Sequence, residues 1–401
     1  MIAWLLYACS SAPTPNKAPT TTPKNALLIV IDTARADVVA EADTPNLDAL
    51  AARGTSVPHA WSSGTWTLPS VVSLFTGMSV REHGWDLPAA RIGKYPKLPD
   101  APTLATVLQA AGFGTAALYA NPYLSESLGF DRGFDSFTRL HDNAMTSRFS
   151  PIVMSWSDGR RHFAYVHLLG PHSPLKPSAE SRKKFGVEDH WVSGTGFDVG
   201  AAKRNTEPGV REAYGRAYRA VVEDTDRVVG DLVQALGPYR DDTLGVVTSD
   251  HGELLGEHDV CEHGSWVWEE LTHVPLIVDR PVDLPQALSI SSIPAIITEA
   301  LGVEHKWPTP SHPEAPALVA QREGKLAISD GTHKTIWVDG KAQSFDLSSD
   351  PHEEKPLPAD PAIDALRSAW EARTPAGNTS MDMVTLSPDT RSALRSLGYA
   401  E

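Results

Sequence analysis

The sequence predicts an α/β fold in which a largely parallel sheet carries helices on both faces and is followed by a small antiparallel α+β appendage. Three observations lead there. Short, wholly apolar runs end in a polar residue, as buried parallel strands do. These runs alternate with longer stretches whose apolar residues recur at helical spacing. Beyond about residue 316 the rhythm changes to short strands separated by Asp330-Gly331 and Asp339-Gly340, which are hairpin-turn dipeptides.

Taken in order, Ala26 to Ile31 is a continuous apolar run that delivers Asp32 at its C-terminal end. Asn46 to Ala52 and Pro69 to Phe75 are helical, the second beginning just after Thr67. Thr103 to Ala111 reads as a helix closed by Gly112, and Thr115 to Ala120 as a strand ending at Asn121. His162 to His167 and Leu244 to Thr248 are further strands, leading to His172 and Asp250. Between them Arg211 to Leu236 has the apolar periodicity of one long helix, and Pro275 to Val278 is a later strand. Lys325 to Ile328 and Lys334 to Val338 build the appendage, and Ser387 to Ser396 is a terminal helix. The expected divisions are 1–24, 25–315 and 316–401. In open α/β sheets ligands gather beyond the carboxyl ends of the strands, where Asp32, Asn121, His172 and Asp250 all fall.

Composition limits the function. The 401 residues, 41% of them hydrophobic, suffice for a large core, and 50 acidic against 35 basic side chains give a net charge of -15. That balance excludes a general nucleic-acid binder, which needs clustered Lys and Arg. An anionic substrate therefore requires local positive charge, such as a metal ion. Two carboxylates, an imidazole and a hydroxyl (Asp32, Asp250, His251 and Thr67) make a mixed oxygen and nitrogen set suited to Zn²⁺ or Mn²⁺, one or two ions. Helix capping by Asp32, Thr67 and Asp250 is the competing reading of the same residues. His258 and Glu257 are candidates for a second ion or for loop surface.

The ordered blocks Val30-Ile31-Asp32-Thr33-Ala34-Arg35, Thr44-Pro45-Asn46, Thr65-Trp66-Thr67-Leu68-Pro69-Ser70, Gly129-Phe130-Asp131 and Thr248-Ser249-Asp250-His251-Gly252-Glu253 resemble the sulfatase family of the alkaline phosphatase superfamily. The resemblance implies an alkaline-phosphatase-like core and a metal-dependent ester hydrolase. Two departures matter. Sulfatases place an oxidisable Cys or Ser, within Cys-x-Pro-x-Arg, where this chain has Thr67, Pro69 and Val71, and threonine cannot become formylglycine. Thr33 and His251 also stand where sulfatases tend to have Asp and Asn, which favours a transition metal over Ca²⁺.

Asp32-Thr33-Ala34-Arg35, Gly64-Thr65-x-Thr67, Leu169-Gly170-x-His172-x-Pro174 and His263-Gly264 are similar to the threonine-nucleophile branch, the catalytic domains of phosphoethanolamine transferases. That likeness implies phosphoryl transfer through Thr67, with His172 and His263 on the phosphoryl oxygens and one of them protonating the leaving group. It implies Asp32 in place of the family's metal glutamate. Arg35 and Asn121 are further candidates for substrate contact, with an Arg35 to Asp37 ion pair and strand capping by Asn121 as alternatives.

The expected substrate is an anionic ester, of phosphate or phosphonate type, on a glycan or lipid headgroup. A sulfuric ester hydrolase without formylglycine and an inactive binding lipoprotein are the alternatives. Met1 to Ala8 is apolar and leads into Cys9 and a Ser, Pro and Thr-rich stretch, which resembles a bacterial lipoprotein signal with Cys9 lipidated. That implies export, with a periplasmic or membrane-anchored location.

Overall fold

The structure, a computed structural model, describes residues 21–86, 94–192, 196–197, 199–204, 208–308, 318–377 and 382–397. Cys9 and the leader lie outside the described residues. Among those described, no helix is long and apolar enough to cross a membrane.

The main sheet has seven strands: β1 (Asn25–Ile31), β2 (Thr55–Ser56), β3 (Gly114–Tyr119), β4 (Ser136–Arg139), β5 (His162–Leu168), β6 (Thr243–Thr248) and β7 (Leu276–Val278). Their spatial order is β2-β7-β6-β1-β5-β3-β4. β1 lies at the centre, parallel to β5 on one side and to β6 on the other. β7 runs antiparallel to β6. All seven residues of β1 are buried, which accounts for the unbroken apolar run.

Alternation along β1 then divides the core. Ala26, Leu28 and Val30 face one layer with Leu68, Val71, Val72, Leu104, Ile293 and Ile297. Leu27, Ile29 and Ile31 face the other, with Leu47, Leu50, Phe149, Tyr214 and Ala217. The second layer is dominated by the 26-residue helix Val210–Ala235, within one residue of the expected bounds. Its Asp226 accepts hydrogen bonds from the backbone N–H of Asn46 and of Leu47, at 3.1 and 2.8 Å. The carboxylate thereby satisfies two orphan donors at the start of helix Pro45–Arg53.

The appendage is a four-stranded antiparallel meander, Leu318–Arg322, Lys325–Ser329, His333–Val338 and Lys341–Asp346. Asp339 and Gly340 have φ of 48° and 81°, the left-handed pair that a tight two-residue hairpin demands. One face packs on Trp61 and Val267 of the main body, and the other is covered by Ile363 and Trp370 of helix Pro361–Arg373. Lys334, fully buried, is held by Glu353 at 2.9 Å and Glu269 at 3.1 Å and lies over the Trp61 ring. The first appendage strand continues into the main body, where Gln321 donates its N–H to the Ser63 carbonyl at 3.0 Å. The appendage therefore buttresses the loop that precedes Thr67.

Candidate active site

Because β1 and β6 are adjacent and parallel, the residues just past their ends emerge on the same edge of the sheet. Asp32 follows β1 directly, and Asp250 stands two residues beyond β6. Thr33 bends the chain between them with φ of 61°, a conformation that a β-branched residue adopts only where its surroundings enforce it. Tyr218 supplies part of that enforcement, since its hydroxyl donates to the Thr33 carbonyl and accepts from the Arg35 N–H. The Thr33 N–H and the His251 N–H both donate to Asp250 Oδ1, at 3.3 and 3.0 Å. Gly252 is required by close approach, because a Cβ there would stand 1.9 Å from the Glu270 carbonyl oxygen.

Asp32, Asp250 and His251 are fully buried and offer ligand atoms that lie within 4.8 Å of one another. His251 Nε2 is 3.5 Å from Asp32 Oδ1 and 3.7 Å from Asp250 Oδ2. These same three atoms have no hydrogen-bond partner. With its Nδ1–H donated to the Gly252 carbonyl, His251 presents a lone pair at Nε2. Orphaned buried acceptors converging on one point, two of them carboxylate oxygens, fit a divalent cation. Electrostatics agree: burial, and then Asp250, pushes the Asp32 carboxyl well above its usual range. Burial alone would raise Asp250 too, but His251, His167 and the Thr33 N–H outweigh it and hold that carboxyl below its usual value. A cation would relieve the repulsion between the two.

Thr67 is the first residue of helix Thr67–Thr76 and is fully buried. Trp66, the residue before it, is extended and makes no side-chain cap, so no cap occupies the N–H groups of the first turn. Asn121, at the end of β3, connects Thr67 to the cluster. Its Nδ2 donates to Asp32 Oδ2 at 2.7 Å and to Thr67 Oγ1 at 3.2 Å. The two histidines expected on the substrate also converge: the ring centroids of His172 and His263 are 5.0 Å apart, and those of His251 and His263 are 4.7 Å apart. Burial lowers His172 to about 3, His251 to about 4 and His263 to about 4, so all three are neutral near pH 7.

Arg35 makes the ion pair with Asp37 that stood as the alternative to substrate contact. Its guanidinium is bidentate to Asp37, pairs with Glu257 Oε1 at 2.7 Å and donates to the Glu253 carbonyl, so its donors are committed to the fold. Glu257 is thereby engaged as well. Two residues to which the sequence assigned no role join the site. Glu253 accepts from His263 Nδ1 at 2.9 Å, with burial raising its carboxyl to about 7. Asp142 accepts the Leu169 and Gly170 N–H groups and so anchors the turn that leads to His172. Glu253 was within the quoted motif, but nothing in the spacing tied it to a histidine ten residues on.

The family model described as Sulfatase matches residues 24–296. A low-salt glycan biosynthesis sulfotransferase of Haloferax volcanii is 30% identical over 168 residues, 39% of this chain and 37% of that protein. The chain spans between 13% and 47% of the length of the first curated relatives it matches. Among solved structures, a 2-O glycosaminoglycan sulfatase superposes with a TM-score of 0.66 at 17% identity, over 92% of this chain and 96% of that one. A phosphonate monoester hydrolase from Silicibacter pomeroyi superposes with a TM-score of 0.67 at 18% identity, over 88% and 96%. A site of two strand-end carboxylates and a histidine, on a fold shared with these enzymes and within a family match covering most of the chain, identifies this protein as a member of the sulfatase family.

Proposed function

We propose that the protein is a metal-dependent hydrolase or transferase of phosphate-type esters that uses Thr67 as its nucleophile. The observation that carries this reading is the Asn121 amide, which ties the Thr67 hydroxyl to Asp32, a member of the orphaned ligand set. Asp32, Asp250 and His251, with Thr67 beside them, would hold a divalent cation, Zn²⁺ or Mn²⁺ from the mixed donor set. Such an ion lowers the pKa of an adjacent hydroxyl and neutralises charge on a phosphoryl oxygen.

The remaining work falls to the chain. Thr67 gives up its Oγ1 proton to water and the resulting alkoxide attacks phosphorus, forming one O–P bond as the bond to the leaving oxygen breaks, while the helix N-terminus beneath it stabilises the anionic group. Nδ1 of His172 donates to the Ser173 carbonyl and Nδ1 of His263 donates to Glu253, so the basic nitrogen of each neutral ring is Nε2. An anionic substrate next to them favours their protonated forms, which bind phosphoryl oxygens and return a proton to the leaving group. Water, or an acceptor alcohol, then bonds to phosphorus as the Thr67 Oγ1–P bond breaks, and the proton it loses restores the Thr67 hydroxyl.

The likeness to phosphonate monoester hydrolases supports a phosphorus ester, and the likeness to glycosaminoglycan sulfatases favours sulfate esters on a glycan as the second reading. We further infer from Cys9 that the protein is exported and lipid-anchored, with 1–24 as leader and tether, 25–315 as catalytic domain and 316–401 as appendage. Hydrolysis of a chromogenic panel (phosphate monoester, phosphate diester, phosphonate monoester and sulfate ester) by Zn²⁺- or Mn²⁺-loaded protein tests the chemistry. Phosphorus-ester turnover that falls by more than about 1,000-fold in Thr67→Ala is expected. Sulfate-only turnover overturns the substrate assignment, and full activity in the variant overturns the nucleophile.

A further inference from the structure

His167 lies near the C-terminal end of β5, paired in register with Val30 of β1 and with Tyr119 of β3. It is completely buried, and neither of its ring nitrogens has a hydrogen-bond partner. A histidine kept only for packing is normally satisfied, as His83 is here: its Nδ1 accepts from the Trp85 N–H and its Nε2 contacts Ser73 Oγ. An imidazole buried with both nitrogens dry loses its hydration without replacement, so His167 is a poor core residue by itself.

Its surroundings say what it serves. Nε2 stands 3.7 Å from Asp250 Oδ2, the orphaned oxygen that belongs to the candidate ligand set. Asp250 Oδ1 is already oriented by two backbone N–H groups, whereas Oδ2 has no donor from the backbone. A carboxylate oxygen carries two lone pairs, so Oδ2 can face a cation with one and accept an N–H with the other. A shift of less than about 1 Å brings the pair to hydrogen-bond distance.

We propose that His167 is a positioning residue, donating Nε2–H to Asp250 Oδ2 and fixing the rotation of that carboxylate toward the cation site. This rests on the metal reading above. The donor is neutral imidazole in its Nε2–H tautomer, and no proton changes hands.

The test separates the two ring positions. A glutamine amide reaches where Nε2 lies, whereas an asparagine amide reaches only as far as Nδ1. Zn²⁺ and Mn²⁺ dissociation constants, measured by competition with a chelating fluorophore on the wild-type protein, His167→Gln and His167→Asn, are compared with the melting temperatures of the metal-free forms. Weakening of about 10- to 100-fold is expected in His167→Asn, with His167→Gln within a few-fold of wild type and similar metal-free melting temperatures. Equal affinities in all three proteins, or equal loss in both variants, overturn the positioning role. A wild-type protein that binds neither ion removes the metal reading itself, a result distinct from either.

Discussion

Replacing Lys334 by methionine tests how the appendage is joined to the main body. The ammonium is fully buried between Glu353, itself fully buried, and Glu269, with the Trp61 indole beneath it and Trp61 Nε1 donating to Glu269 Oε1 at 3.0 Å. Methionine fills the space of the lysine stem but leaves two carboxylates without their cation. Breaking a buried pair in this way costs about 3–5 kcal/mol.

The cost depends on pH, and its direction follows from Glu353. Burial raises that carboxyl to about 7, even with Lys334 present. The folded state then binds a proton more tightly than the unfolded chain. The group's contribution to stability is present below its ordinary value and is lost as pH rises through about 7. Without Lys334 the carboxyl is raised further and can shed its charge in mild acid. The variant should lose about 3–5 kcal/mol at pH 8 but only about 1–2 kcal/mol at pH 5, where one carboxyl is neutral. At roughly 2 °C per kcal/mol, the melting temperature followed by circular dichroism falls by roughly 6–10 °C at pH 8. An unchanged melting temperature at pH 8, or the same loss at both pH values, would refute the argument.

Two further outcomes follow from the site and its supporting core. Asn121→Ala removes the donor shared by Asp32 and Thr67, a charge-assisted hydrogen bond worth about 1.5–3 kcal/mol, so kcat on the best panel substrate should drop about 10- to 100-fold; unchanged kcat would show that the amide is incidental. His83 is buried and its imidazole is held down at about 3 by burial, so the folded protein keeps it neutral while the unfolded chain takes up a proton. That stability is present above the ordinary histidine value and lost as pH falls toward 3, about 2 kcal/mol of it by pH 5. His83→Asn, which retains an acceptor for the Trp85 N–H, should flatten the denaturation midpoint between pH 6.5 and 5, and an unaltered acid slope contradicts the assignment.

The sequence by itself determined much of the frame. A wholly apolar run is a buried central strand because only a strand covered on both faces excludes polar residues throughout, and β1 is one. The polar residues that interrupt such runs at their ends, Asp32, Asn121 and Asp250, had to share the C-terminal edge of a parallel sheet, and they do. The long helix was legible because its apolar spacing persists over seven turns, and the hairpin because Asp339-Gly340 supplies two positive φ angles. Strand β4 and helix Asp142–Met154 went unread, the first being partly exposed and without strict alternation, the second carrying Pro151 within it.

What only the tertiary structure decided are the pairings between residues distant in the chain. Arg35 carries the same charge whether it meets a substrate or Asp37, and the fold decides for Asp37 and adds Glu257, a partner distant in the chain. Gln321 and Ser63 are far apart in sequence, yet their hydrogen bond sets the appendage against the loop of Thr67. His167 reads as an ordinary strand residue until its two nitrogens are found dry beside Asp250. Local propensity and periodicity act over one or two turns of chain, whereas the satisfaction of a buried polar atom depends on whatever the rest of the molecule brings to it.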